Sequence, residues 1–324
     1  MDASSVAVVV PVFGGSQHIL KLLEALAAQT RVPESVVFVI SESPEAKIIE
    51  GVINDYAGLT MKAVIVERSY PGKARNVGVF LSKEDWIAFL DLRTIPDTKW
   101  LETVLNEALE SGLGFIGAIR SSNADTHFKK VLRAATHGRV NSKCLSGSII
   151  KRKLFVDNDL FKEDMRAGED WEWLDRMTAR YKHKWLSAIL VDYQGFPDSL
   201  VETLQKWFIY SVENAKASVF VRQKVLYFVS FLIFLFSVYS WNFVFTGGVW
   251  DDSPFFIPHL NKIVWVLLFS IYFLYRGIVR PLSLEEPKEF LFPLNWIFIG
   301  SLGIALDLAK SPGRILGFIR YISK

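Results

Sequence analysis

The sequence predicts an α/β fold: a doubly wound, mostly parallel sheet, followed by C-terminal transmembrane and interfacial helices. Three observations carry that expectation. Short β-branched runs alternate with helical stretches through the first half of the chain, the pattern of βαβ units. Glycine, polar and charged residues recur where those runs end, which is where open α/β sheets bind ligands. In the last third, apolar runs become long enough to cross a bilayer.

The elements follow in order. VAVVVPV at 6–12 is an unbroken apolar run, as in a strand buried on both faces. After a Gly14-Gly15-Ser16 turn, 19–29 (ILKLLEALAAQ) has helical periodicity. A second strand, 36–40, ends in Ser41-Glu42-Ser43; a helix over 46–56 and a third strand over 62–66 come next. Gly72 to Leu81 reads as a loop entering a helix, and WIAFL at 86–90 is a fourth strand ending on Asp91. The strand-end rule gathers Pro11 to Gly15, Ser41 to Ser43, Arg68 to Asn76 and Asp91 to Thr94 around one crevice.

Two loops there carry chemistry. In RSYPGKARNVG (68–78) a Pro-Gly turn is followed by Lys73 and Arg75 near a helix N-terminus, an arrangement suited to anionic oxygens. Asn76 either bonds a ligand or caps the helix. In FKEDMRAGEDWEWLDRM (161–177), Gly168 allows close backbone approach, and Glu169-Asp170 open a helix where the dipole favours carboxylates. Acidic residues at a helix start are commonly caps, so this spacing alone does not assign catalysis.

The C-terminal part reads as a membrane domain. A stretch at 226–245 has no charge and is of spanning length; 263–280 is a second span if Arg276 snorkels to an interface. The link between them carries Asp251 and Asp252. The outer flanks hold Arg222, Lys224, Arg276, Arg280 and Lys288, so the positive-inside rule puts the N-terminal domain in the cytoplasm. The segment 290–309 contains Pro293, Gly300, Gly303 and Asp307 and reads as re-entrant or interfacial in preference to a third span. Residues 204–224 suit an interfacial linker helix, and 310–324 a basic amphipathic tail on an anionic surface.

Bulk numbers bound the partners. The chain has 324 residues, 25 Phe and 10 Trp, and a net charge of +3, too small to argue for nucleic acid. One cysteine, Cys144, excludes an internal disulfide and reads as a small buried hydrophobe. The N-terminal stretch has no basic region before its first apolar run, so it does not read as a signal peptide.

Together these segments resemble the family 2 glycosyltransferases, inverting enzymes of GT-A (nucleotide-diphospho-sugar transferase) fold. The opening strand and helix (8–26), the Gly-Lys-x-Arg-Asn loop (72–76) and WIAFLDLRTIPDTKWLE (86–102) are similar to family elements, as are LSGSIIKRKLF (145–155) and the Glu-Asp motif. The resemblance implies a GT-A domain over 1–203. It also implies transfer of one sugar from a nucleotide-diphosphate sugar to a lipid or polyprenyl-phosphate-linked acceptor at the cytoplasmic membrane face. By the same resemblance Asp170 is the general base and Glu169 orients it or bonds the acceptor. Pro11, Phe13, Glu42, Lys73, Arg75, Asn76, Asp91 and Arg93 would line the donor site. Ser146, Gly147, Trp171, Trp173 and Arg176 would lie on the acceptor side, with Asp91 as the sole candidate metal ligand.

Departures from the family pattern accompany it. Ser41-Glu42 stands where the family has an Asp-Asp pair, and Arg93 replaces the second acid of its Asp-x-Asp element. No histidine completes a metal site in LVDYQGF (190–196), where Asp192 and Tyr193 stand. Mg²⁺ or Mn²⁺ is therefore expected to have an incomplete ligand set, with Arg93 supplying fixed charge or pairing with Asp91 or Asp97. Residues 203–207 keep little of the motif found in the family's processive synthases, which argues against long polymers. The alternative is a catalytically silent GT-A domain that serves as a membrane-anchored binding or assembly subunit.

Overall fold

A computed structural model describes residues 4–156, 160–215, 220–239 and 260–323. They form two compact units, residues 1–133 with 137–200 and residues 134–136 with 201–324. Within the first, the elements run β1 (Val6–Val12), α1 (Ile19–Ala27), β2 (Ser35–Ser41), α2 (Ala46–Asp55), β3 (Met61–Val66) and α3 (Pro71–Leu81). Then come β4 (Trp86–Phe89), β5 (Thr94–Pro96), α4 (Trp100–Ser111), β6 (Phe115–Ser122), α5 (His127–Ala135) and β7 (Val140–Lys151). The unit closes with α6 (Lys153–Val156), α7 (Glu169–Arg180) and β8 (Lys184–Tyr193).

One eight-stranded sheet has the order β3-β2-β1-β4-β7-β6-β8-β5. Its first four members pair in parallel, Val8 opposite Val36 and Ala88. β7 then runs antiparallel to both β4 and β6, β8 returns parallel to β6, and β5 closes antiparallel on β8. The sheet is thus mixed and curled, not mostly parallel as the sequence suggests. β1, β2 and β4 are apolar runs, whereas β7 and β8 mix polar and apolar residues and pair across distances that local pattern does not encode.

Alternation along β1 divides the core. Val6, Val8 and Val10 face one apolar cluster with α1, α2 and α4; Ala7 and Val9 face a second that holds Phe89, Phe115, Phe161 and Trp173. Burial on both faces is why β1 carries no polar side chain. It also places the strand's C-terminal end, Pro11 to Phe13, at the mouth of the sheet.

The second unit comprises α8 (Leu200–Asn214), α9 (Val221–Tyr239) and α10 (Leu260–Leu274), which continues through a π-helical turn (Tyr275–Val279) into α11 (Arg280–Ser283). It ends with α12 (Lys288–Leu291) and α13 (Asn295–Ile322). Among the described residues, one helix, Lys262–Ser283, is long and apolar enough to cross a membrane, and 11% of its apolar window is buried. Exposed Leu, Ile and Phe side chains also cover α9, with Phe236 70% exposed. The end of the expected first span, 240–245, and Asp251 and Asp252 lie outside the described residues. The segment expected to be re-entrant is mostly the first half of α13, a single 28-residue helix that runs on through Pro312. The expected boundary at residue 310 falls inside that helix, because Lys310 and Arg314 face inward and do not make a separate basic tail.

Candidate active site

The crevice expected from the strand ends is present. It has a volume of about 380 Å³ and is lined by Pro11, Phe13, Ser41, Tyr70, Arg75 and Asp91, together with Arg68 and Arg166. Ser41 fixes one wall: its hydroxyl accepts from the Ser69 amide at 2.9 Å and donates to the Ser69 carbonyl. Phe13 is 63% and Tyr70 42% exposed, leaving two rings facing solvent at the rim.

Arg75 is the centre of the site. Pro71 occupies the first turn of α3, where its missing N–H costs nothing, and the helix delivers Arg75 inward. Nη1 donates to Glu169 Oε1 at 2.5 Å and Nη2 to Asp91 Oδ1 at 2.9 Å. The adjacent Asn76 is a clamp: its amide donates to the Phe161 carbonyl and to Glu163, while its oxygen accepts from the Phe161 amide. It is therefore committed to protein groups and is not free for a donor.

Gly168 precedes α7 in the left-handed region at φ 82°, and that turn presents Glu169 and Asp170 together. Asp170 is half-buried; its Oδ1 accepts the Trp171 amide at 2.8 Å. Burial raises its pKa; Arg75 and Arg120 pull it down and Asp91 pushes it up. Glu169 is pushed up by burial too, against the pull of Arg75.

Other expected residues go elsewhere. Trp173 is fully buried and stacks on Phe161 (4.8 Å) and Phe155 (5.4 Å), so it is core and not an acceptor wall. Ser146 Oγ accepts the Asp91 amide, and the Gly147 carbonyl accepts Trp100 Nε1: both hold the sheet behind the site. Arg176 ties α7 to its own turn through Glu172 and to the Leu160 carbonyl. Glu42 is exposed at the end of β2 and Lys73 half-buried in the first turn of α3; neither lines the crevice. Arg93 is exposed and pairs with neither Asp91 nor Asp97; Asp91 pairs with Arg75. Only Trp171 of the expected acceptor residues lines a second cavity, of about 350 Å³, with Lys143, Leu174, Asp175, Thr178 and Trp185. Arg68 lines the crevice, where the strand-end rule gathers it; Arg166 and Arg120 had no role assigned from the sequence, and the fold brings them here. Cys144 is buried as expected, which pushes its thiol up to about 12.

Mg²⁺ and Mn²⁺ require several oxygen ligands. Asp91 already bonds Arg75, and among the described residues no three His, Cys, Asp or Glu side chains group to hold an ion. The residues present do not fit a protein-held metal.

A mixed, curled α/β sheet with a cationic crevice at its strand ends belongs to the GT-A-like class of folds. Residues 7–166 match the family model described as Glycosyl transferase family 2. The amylovoran biosynthesis glycosyltransferase AmsB of Erwinia amylovora is 31% identical over 112 residues, 34% of this chain and 36% of AmsB. The chain thus matches about a third of that relative's length. Mannosyltransferase PcManGT from Pyrobaculum calidifontis, solved with GDP-Man and Mn²⁺, shares the fold with a TM-score of 0.56 at 13% identity, over 94% of this chain and 86% of its own. S. aureus TarS 1–349 with UDP-GlcNAc gives a TM-score of 0.47 at 18% identity, over 98% and 92%.

Proposed function

We propose that the chain is an inverting glycosyltransferase that moves one sugar from a nucleotide-diphosphate sugar to a lipid or polyprenyl-phosphate-linked acceptor at the cytoplasmic membrane face. The observation that carries this reading is the position of Asp170. It lies within electrostatic range of Arg75 and Asp91 in the crevice, and its neighbour Trp171 lines the second cavity. A single displacement needs a base on the acceptor side and cations around the leaving group.

In that reaction Asp170 takes the proton of the acceptor hydroxyl, and the acceptor oxygen attacks the anomeric carbon from the face opposite the diphosphate. The bond to the diphosphate oxygen breaks and its electron pair leaves with the diphosphate. Burial raises the pKa of Asp170, which makes its carboxylate a stronger base. Arg68 and Arg166 meet the charge that grows on the leaving group. Arg75, fixed by two carboxylates, holds Asp91 and the start of α7 in place. The phenyl ring of Phe13 and the phenol of Tyr70 are the surfaces on which a nucleotide base can stack. The apolar helix at Lys262–Ser283 and the exposed apolar surface of α9 support the membrane location. AmsB, an amylovoran biosynthesis glycosyltransferase, is consistent with an acceptor that is a growing glycan.

Calorimetry with UDP-, GDP- and dTDP-sugars, with and without chelator, tests the donor half. One donor is expected to bind in both conditions, and to bind more weakly when Arg68 and Arg166 are replaced by Ala. Absence of binding by every donor would favour the catalytically silent subunit instead.

A further inference from the structure

Helix α13 carries a polar stripe on its inward face. Gly303, Asp307, Lys310, Arg314 and Gly317 follow each other at spacings of three and four, which puts them on one side of a helix. Asp307 is the hub. It accepts from the hydroxyls of Tyr227 (3.0 Å) and Tyr272 (2.6 Å), and pairs with Arg276 at 3.1 Å and Lys310 at 3.5 Å. The two glycines make room for cations from other helices. A Cβ at Gly303 would lie 2.7 Å from Arg276 Nε, and one at Gly317 would lie 2.9 Å from Lys224 Cε. The π-helical turn begins one residue before Arg276, and such bulges are frequent at functional sites.

The charges do not balance. Arg276, Arg280 and Lys310 gather around a single carboxylate, Asp307, and Arg314 stands one turn beyond Lys310 on α13. Arg280 donates to the Thr136 carbonyl of the same unit, a neutral partner. Arg314 is 7% exposed and stacks on Phe220, and its Nε and Nη1 have no hydrogen-bond partner among the described residues. A buried guanidinium with unmet N–H groups is costly unless an anion completes it. In helices directed to a bilayer, ionisable residues mark a binding or transport site. The patch has access to the surface: Lys310 is 20% and Asp307 16% exposed.

We propose that this stripe binds the phosphate of a membrane lipid that carries a phosphomonoester or diphosphate head. Three cations share Asp307 and the buried Arg314 guanidinium beside them has unmet N–H groups, an excess of positive charge; a phosphomonoester brings about −1.5 to −2 charges, more than a phosphodiester brings. The lipid, in place of a free phosphate, follows from Arg276 and Tyr272, which sit on the helix apolar enough to span. Basic pockets between such helices bind lipid head groups. The inference rests on the membrane-bound acceptor reading and gives that acceptor's phosphate a site.

The test uses the full chain in detergent, without sugar nucleotide, and counts lipid adducts by native mass spectrometry. Phosphatidate and phosphatidylcholine are the lipid probes, and inorganic pyrophosphate is the soluble one. Phosphatidate is expected to bind at least about tenfold more tightly than phosphatidylcholine, and the double variant K310Q/R314Q to lose about tenfold or more, the worth of one or two charge-assisted bonds. The charge-keeping K310R/R314K is expected to retain binding, which separates lost charge from lost fold. D307N is expected to strengthen it, because a competing carboxylate is gone. Equal adducts for both lipids, an unaltered K310Q/R314Q, or pyrophosphate binding without any lipid adduct would overturn the proposal. Intact lipid binding in a chain that transfers no sugar would count against the transferase reading alone.

Discussion

Arg75 and Glu169 stand 94 positions apart in the chain and meet at 2.5 Å in its interior, each with only about a twentieth of its side chain exposed. Asp91 takes the other end of the same guanidinium. The basic loop, the strand-end aspartate and the Glu-Asp motif are thereby held by one arginine. Its own proton is kept against burial by the surrounding carboxylates, which raise its pKa further.

Removing that arginine is expected to be severe. Arg75→Ala leaves Glu169 buried and unpaired, a loss of about 3–5 kcal/mol by analogy with other broken buried pairs. Thermal unfolding followed by circular dichroism should show a large drop in Tm. Adding Glu169→Gln should recover part of it, since the stranded charge is then gone.

The carboxyls also set a pH dependence. Burial pushes Glu169 from its ordinary 4.5 up to about 7, so the folded chain holds that proton more tightly than the unfolded chain. On this account stability is greatest below the unfolded value and falls as pH rises toward the folded one. Tm measured between about pH 5 and pH 8 should decline, and Glu169→Gln should flatten the slope.

Two tryptophans separated by one residue should behave oppositely. Trp173→Ala removes a fully buried ring and is expected to cost about 3–5 kcal/mol of stability. Trp171→Ala should leave Tm close to that of the parent and raise KM for the acceptor while sparing the donor. Steady-state kinetics beside thermal unfolding checks both.

Charge in the crevice is expected to come from arginine. Chelation should leave donor affinity unchanged, whereas Arg166→Ala should weaken it by about tenfold, the worth of one charge-assisted bond. Loss of binding on chelation with rescue by Mn²⁺ would contradict this.

The parallel half of the fold was legible because β1, β2 and β4 are apolar runs whose burial on both faces leaves a plain trace in sequence. β6, β7 and β8 were not, since their mixed residues pair across distances that local pattern does not encode. In the site, Arg75, Asp91, Glu169 and Asp170 were readable as motifs. What each does was not: Asn76 looked like a ligand and is a clamp, and Trp173 looked like a wall and is core. Arg120 and Arg166 had no role assigned from the sequence and reach the site only through the tertiary fold. In the C-terminal unit, the separate readings of 290–309 and 310–324 put a boundary at residue 310, where α13 runs on, with Asp307 bonded by Tyr227 of α9 and Tyr272 of α10.

The most direct measurement is the anomeric configuration of the product made by the wild-type chain, with Asp170→Asn assayed beside it. An inverted product, together with a fall in kcat of about 10²–10⁴-fold in the variant and unchanged donor affinity, is the result expected of a single displacement with Asp170 as base. A retained configuration, or full turnover by the variant, would contradict it.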